Sequence, residues 1–233
     1  MPRDVPKSNP ARRSQRWMQF FVNEQPAILN HAVRQATGIA PQTDIHWKSP
    51  LADDDFAEYF DQAFLNRLQV TPSNVPLNEF WPNGGPHWDG LAITSTAEVI
   101  LVEAKANITE FATDPCGAES AASIEQIRKS LNQVQQFMDI RGNRCRPELW
   151  FNAFYQYANR LAHLYFLREV NGIPTHLIFL DIVNDPDSGN DAVKSADEWK
   201  SLTRLAETCL GITSSKPLMQ HVHHIHVDVT DFA

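Results

Sequence analysis

Along this chain of 233 residues the apolar positions repeat at two spacings, and the switches between them mark out the elements. Spacings of three and four, the helical signature, run from Trp17 to Thr37, with a bend or break at Pro26 and a stop at Gly38. A second helix is predicted over Asp53 to Leu68, with Phe56, Tyr59, Phe60, Ala63 and Phe64 as its stripe. Asp53, Asp54 and Asp55 would sit at its start, where negative charge suits the helix dipole. Val75 to Trp81 reads as a short strand, and Pro82-Asn83-Gly84-Gly85-Pro86 as a sharp turn. Alternation then takes over in residues 88–94 and 99–106. After a loop around Asp114-Pro115-Cys116-Gly117, a helix over Ser120 to Met138 carries Ile124, Ile127, Leu131, Val134 and Met138. Glu148 to Val170 reads as a long aromatic-rich helix, buried in the core or at a homodimer contact and closed by Gly172 and Pro174. His176 to Val183 is a continuous apolar strand, Ser195 to Leu210 a helix, and His221 to Val229 a last strand. This order predicts an α/β fold, a mixed central sheet flanked by helices.

The two alternating segments form a hairpin whose register can be derived. With the turn centred near Thr96, Ile93 faces Val99, Leu91 faces Leu101, and Asp89 faces Glu103. Alternation puts Lys105 on the same face as Glu103. Opposed carboxylates repel, and a cation between them turns that cost into a gain.

Composition changes this picture little. The chain is 42% hydrophobic and 21% charged with a net charge of −8, so no global signal for nucleic acid exists and local clusters must carry it. Residues 1–16 form a predicted flexible basic arm, with Arg3, Lys7, Arg12, Arg13 and Arg16 against Asp4 (five cations less one anion, net +4), ahead of a single domain over 17–233. A second basic group lies in the loop of Arg141, Arg144 and Arg146. Cys116, Cys145 and Cys209 are widely spaced and odd in number, which speaks for a reducing compartment rather than a disulfide framework or zinc site. With no membrane-length apolar run, a soluble cytoplasmic protein is expected.

Two carboxylates beside a lysine suit phosphodiester hydrolysis. Asp89 and Glu103 offer hard oxygen ligands for Mg²⁺, or Mn²⁺ as a substitute, and the Ala104 carbonyl can add another. Lys105 can orient the attacking water and neutralise charge on the phosphate. The string His87-Trp88-Asp89-Gly90, with thirteen residues between Asp89 and Glu103-Ala104-Lys105, resembles the PD-(D/E)XK superfamily of restriction-endonuclease-like nucleases. That resemblance implies an α-β-β-β-α-β core over about residues 50–183: helix 53–68, strands 75–81, 88–94 and 99–106, helix 120–138 and strand 176–183. It implies Asp89 and Glu103 as metal ligands and Lys105 as the catalytic lysine. Trp88 stands where the name-giving proline would be.

The string alone proves little, because Glu198-Trp199-Lys200 repeats it downstream of Asp185, Asp187 and Asp191. There, however, Ser195 and Glu198 form a capping box, and residues two apart on a helix point about 200° apart, so that copy cannot build a site. In the superfamily an extra acid often comes from the first core helix, where Glu58 is favoured over Asp55. His87 shares a face with Asp89; Gln126, Lys129 and Gln133 lie on the helix expected to border the site. On the final strand His224, His226 and Asp228 share a face, read as an exposed polar surface more readily than a transition-metal site. Three functions follow: metal-dependent cleavage of nucleic acid, DNA above all; a catalytically inactive nuclease-fold binding or assembly module; and, last, metal-site hydrolysis of another substrate.

Overall fold

In the computed structural model, which describes residues 3–4, 11–111, 115–141 and 146–232, the chain folds around one five-stranded mixed sheet. Its strands are β2 (Ile45–Ser49), β4 (Gly90–Thr94), β5 (Val99–Lys105), β6 (Thr175–Val183) and β7 (Val222–Asp228), hydrogen-bonded in that spatial order. β2, β4 and β5 run antiparallel, whereas β5, β6 and β7 are parallel. The C-terminal ends of β5, β6 and β7 therefore lie side by side at one edge of the sheet. A separate two-stranded pair joins β1 (Arg3–Asp4) to β3 (Glu58–Tyr59).

Each face of the sheet has its own apolar layer, as strand alternation requires. Ala92, Ile100, Val102, Ile178, Leu180 and Ile225 pack under α1 (Arg13–Asn23) and α2 (Pro26–Thr37). Leu91, Val99, Leu101, Leu177 and Phe179 pack under α3 (Asp61–Leu68), α6 (Ala121–Phe137) and α8 (Tyr155–Tyr165). The helices α4 (Leu77–Phe80), α5 (Ile108–Phe111), α7 (Pro147–Phe151) and α9 (Ala196–Leu210) complete the layers. Local signals end the elements where physical chemistry expects. Ser120 and Ser195 accept backbone N–H bonds as N-caps of α6 and α9. Gly38 and Gly211 close α2 and α9 in the left-handed conformation. Pro26 separates α1 from α2 by opening the second.

Four sequence expectations need correction. The first strand of the sheet is β2, in the stretch between the first two predicted helices where the sequence predicts no strand, while residues 75–81 contain the short helix α4 instead of a strand. The helix expected over 53–68 exists only from Asp61. Asp53 and Asp54 belong to a 3₁₀ turn, and Asp55 and Phe56 have left-handed φ, which an α-helix cannot contain. Glu58 consequently lies in a strand. The long helix of 148–170 breaks at Asn152, whose backbone is non-helical, and ends in a π-turn over Phe166–Val170. Tyr157, Ala158, Leu161, Ala162 and Leu164 bury this helix inside the protein's own core. Of the basic residues near the N-terminus, Arg13 and Arg16 lie in α1, and Arg16 reaches Asp187 at 3.6 Å. Residues 1–2, 5–10, 112–114, 142–145 and 233, hence Lys7, Asp114, Arg144 and Cys145, lie outside the described residues. Cys116 and Cys209 carry free thiols. Among the described residues no helix is long and apolar enough to cross a membrane.

Candidate functional site: the polar edge of the sheet

The derived hairpin register is the observed one. Ile93 pairs with Val99 and Leu91 with Leu101; the ladder ends at Gly90–Val102, leaving Asp89 just beyond it. Asp89 is held there by its own side chain, since its Oδ2 accepts the Ala104 N–H at 2.7 Å. In an antiparallel ladder a residue faces its neighbour with both N–H and C=O. The Ala104 N–H lies on the β4 side of β5, and by that rule its carbonyl lies on the same side. The approach to Asp89 is fixed too. Asp61 accepts the N–H groups of Gly84 and Gly85 (3.0 and 2.8 Å), and the Trp88 N–H donates to the Tyr59 carbonyl at 3.2 Å. A Cβ on Gly90 would strike Met18 and come within 3.2 Å of the Val102 Cβ, so glycine lets α1 seat against the strand beside the site.

Glu103 is almost fully buried, and both of its oxygens are engaged. Oε1 lies 2.6 Å from the Lys105 ammonium, and Oε2 accepts Arg160 Nε at 2.6 Å. Burial pushes its carboxyl up, but Arg160 and Lys105 together reverse the effect and hold it below the ordinary carboxylate range. Arg160 also donates to the carbonyl of His87 (3.0 Å) and the amide oxygen of Asn159 (2.8 Å), and lies over the Trp88 ring. Lys105 further donates to Gln156 at 2.9 Å.

Asp89 shows the opposite electrostatics. Although part of its surface is exposed, burial of the carboxyl raises its pKa well above the usual range, and Glu103 and then Glu58 raise it further. Lys105 and the Ala104 N–H only partly offset this. Glu58 is thus brought to the site, from β3 rather than a helix, where its Oε1 accepts a bond from Gln15 at 3.1 Å. An acid surplus therefore gathers on the Asp89 side, while the Glu103 side is already neutralised.

Other sequence candidates fall elsewhere. His87 stacks on Phe60, with ring centroids 4.1 Å apart, and meets Arg160 through its backbone carbonyl. Gln126 donates to the Asn78 carbonyl, so α6 is not the helix that lines the site; α8 is, through Gln156 and Arg160. Asp228 is exposed and bonds Thr230 and Asn184, apart from His224 and His226. Those two histidines are mostly buried, not an exposed polar face, and gather on Asp181: His224 Nδ1 donates to Asp181 Oδ2 at 2.8 Å, and His226 Nε2 lies 3.6 Å from it. Glu198 and Lys200 sit in α9, where Lys200 pairs with Asp197.

Strand register joins these groups. Glu103, Phe179 and His224 form one cross-sheet row, and Lys105, Asp181 and His226 the next. Arg160, Gln156, Asp181 and the histidine pair are the residues that sequence reasoning missed or undervalued. A signal existed. In a helix crowded with aromatics, Gln156, Asn159, Arg160 and His163 fall at spacings of three and four, and Asp181 interrupts an otherwise apolar strand. Comparison with family models, curated proteins and solved structures returned no match.

Proposed function

We propose that the protein hydrolyses phosphodiester bonds in nucleic acid, DNA above all, at the open end of the β4–β5 hairpin, in the manner of PD-(D/E)XK nucleases. The observation that carries this reading is the meeting of Asp89, Glu103 and Lys105 at the end of that hairpin, with an acid surplus at Asp89 that favours a cation. Among the described residues no three His, Cys, Asp or Glu side chains are grouped as a metal site. A divalent ion here would accordingly rest on the Asp89 and Glu103 carboxylates, the Ala104 carbonyl and water, a hard-oxygen set suited to Mg²⁺. Such an ion supplies charge to polarise the phosphoryl group and acidify water. Lys105, held by Glu103 and Gln156, faces the same end of the strand and neutralises charge on the phosphate oxygens. Glu58 adds negative charge on the Asp89 side.

Pure protein with Mg²⁺ or Mn²⁺ is expected to cleave DNA, and Lys105→Ala to abolish cleavage while leaving the melting temperature within a few degrees. If single- and double-stranded DNA and RNA all stay intact with either metal, the reading fails. One observation favours a second reading, a non-catalytic module: Arg160 and Lys105 already satisfy Glu103 without any metal. Calorimetric titration with Mn²⁺ separates the two. Binding lost in Asp89→Ala supports the nuclease; absent binding supports the module.

A further inference from the structure

Among the described residues, three of the buried side-chain nitrogen and oxygen atoms without a hydrogen-bond partner in the protein belong to residues that line a single pocket: Thr203 Oγ1, His224 Nε2 and His226 Nε2. The pocket, about 570 Å³, lies between α9 and β7. Each buried polar atom left unpaired costs about 1–3 kcal/mol. Three of them in the walls of one pocket indicate a partner that is itself polar. The remaining walls define its charge. Lys200 and Arg204 stand on the α9 side, with Thr213 and Ser214 nearby. Each acid around the pocket has a partner in the protein: Asp181 accepts from His224, Asp197 pairs with Lys200, and the Glu207 carboxylate accepts from the Tyr157 hydroxyl, so Arg204 rather than Lys200 is the cation left for a ligand.

We infer that this pocket binds a phosphate monoester or inorganic phosphate, with His224, His226 and Thr203 as its inner contacts and Arg204 at its rim. The site is built in advance. His224 stacks on Phe179 (centroids 4.9 Å apart, 12° between planes), and its Nδ1–H is fixed on Asp181, so Nε2 is the nitrogen left for a ligand. With the Nδ1 proton placed on Asp181, Nε2 is an acceptor, which pairs with the O–H of a protonated phosphate oxygen. A phosphate monoester carries both protonated and bare oxygens. Sulfate and phosphodiesters at neutral pH carry no O–H. A transition metal, the other ligand of histidine pairs, is disfavoured by the two cationic side chains and the lack of a third ligand grouped with them among the described residues. The inference does not depend on the reading of the Asp89–Glu103–Lys105 site.

The test is calorimetric titration of the full chain with inorganic phosphate, a 5′-mononucleotide, sulfate, dimethyl phosphate and Zn²⁺, joined to ¹⁵N shifts of the histidine rings. Phosphate or the mononucleotide should bind at submillimolar concentration and move the His224 and His226 signals. Sulfate and dimethyl phosphate should bind at least tenfold more weakly. Arg204→Ala, on an exposed position of α9, and Thr203→Val should each weaken phosphate binding about tenfold or more, and Lys105→Ala should leave it unchanged. Binding of the mononucleotide but not free phosphate identifies an ester as the source, and equal binding identifies the anion itself. Any of four results overturns the inference: no phosphate binding, equal binding of sulfate or dimethyl phosphate, loss of binding in Lys105→Ala, or Zn²⁺ uptake by the two histidines in place of phosphate.

Discussion

The two ends of the polar edge are built on opposite principles. At the β5 end every oxygen of Glu103 meets a cation, and Arg160 spends its donors on three separate partners. At the β7 end, one strand beyond β6, an imidazole is oriented with equal care by Asp181, yet three buried polar atoms of residues lining a pocket have no hydrogen-bond partner in the protein. The first end is closed electrostatically and gains rigidity. The second keeps its hydrogen-bonding capacity in reserve. A buried polar group that is satisfied serves the fold, and one that is oriented but unsatisfied is available to a ligand.

Breaking the closed end has the largest expected effect. Arg160→Met leaves Glu103 buried beside Lys105 alone and should cost about 3–5 kcal/mol in denaturant unfolding. Adding Glu103→Gln should recover a large part of that loss, because the uncompensated charge disappears. If the double variant is as unstable as the single one, Arg160 acts through packing on Trp88 rather than through Glu103.

Next comes Gly90→Ala, which would force Met18 and Val102 apart beside Asp89, an overpacking cost of about 1–3 kcal/mol. A smaller value means that the flexible end of the Met18 side chain swings aside. A third measurement uses pH. His163 is buried among Phe64, Trp81 and Trp88, and burial lowers its pKa to about 3. The folded value lies below the unfolded one near 6.5, so the neutral ring's contribution is complete above that pH and is lost as pH falls from about 6.5 toward 3. The loss approaches 1.4 kcal/mol per pH unit for one proton. His163→Phe should flatten the acid limb of the stability curve, and an unchanged limb would assign it to other groups. The smallest effect belongs to the open end. Thr203→Val removes an unpaired hydroxyl and should be neutral or stabilising by up to about 1 kcal/mol in the absence of ligand. A clear loss would mean that the hydroxyl already serves the fold.

Much of this arrangement was legible in the chain. Strand alternation sufficed for the β4–β5 register, and capping serines, Gly38 and Pro26 marked helix ends, because these are local effects. The start of the second expected helix was not legible. The stripe of Phe56, Tyr59 and Phe60 has helical spacing, but left-handed backbone at Asp55 and Phe56 turns it into a 3₁₀ turn and a short strand. The four residues of α4 are too few to show a period. Arg160 and Asp181 escaped for another reason. Each sits in a segment whose apolar residues dominate its pattern, and the partner that explains each lies 57 or 43 positions away.

Arg160 has one consequence for how the molecule assembles. The guanidinium links β5 through Glu103 to the segment before β4 through the His87 carbonyl, across sequence separations of 57 and 73 residues. The hairpin of 90–105 can zip up locally within microseconds, but the end of β5 cannot be sealed from water until α8 arrives with its charge. Closing such distant contacts is slow, so the outer turn of the hairpin forms first and the carboxylate end sets late. By the same logic it opens early: in native-state hydrogen exchange the amide of Ala104 should be released before that of Leu101.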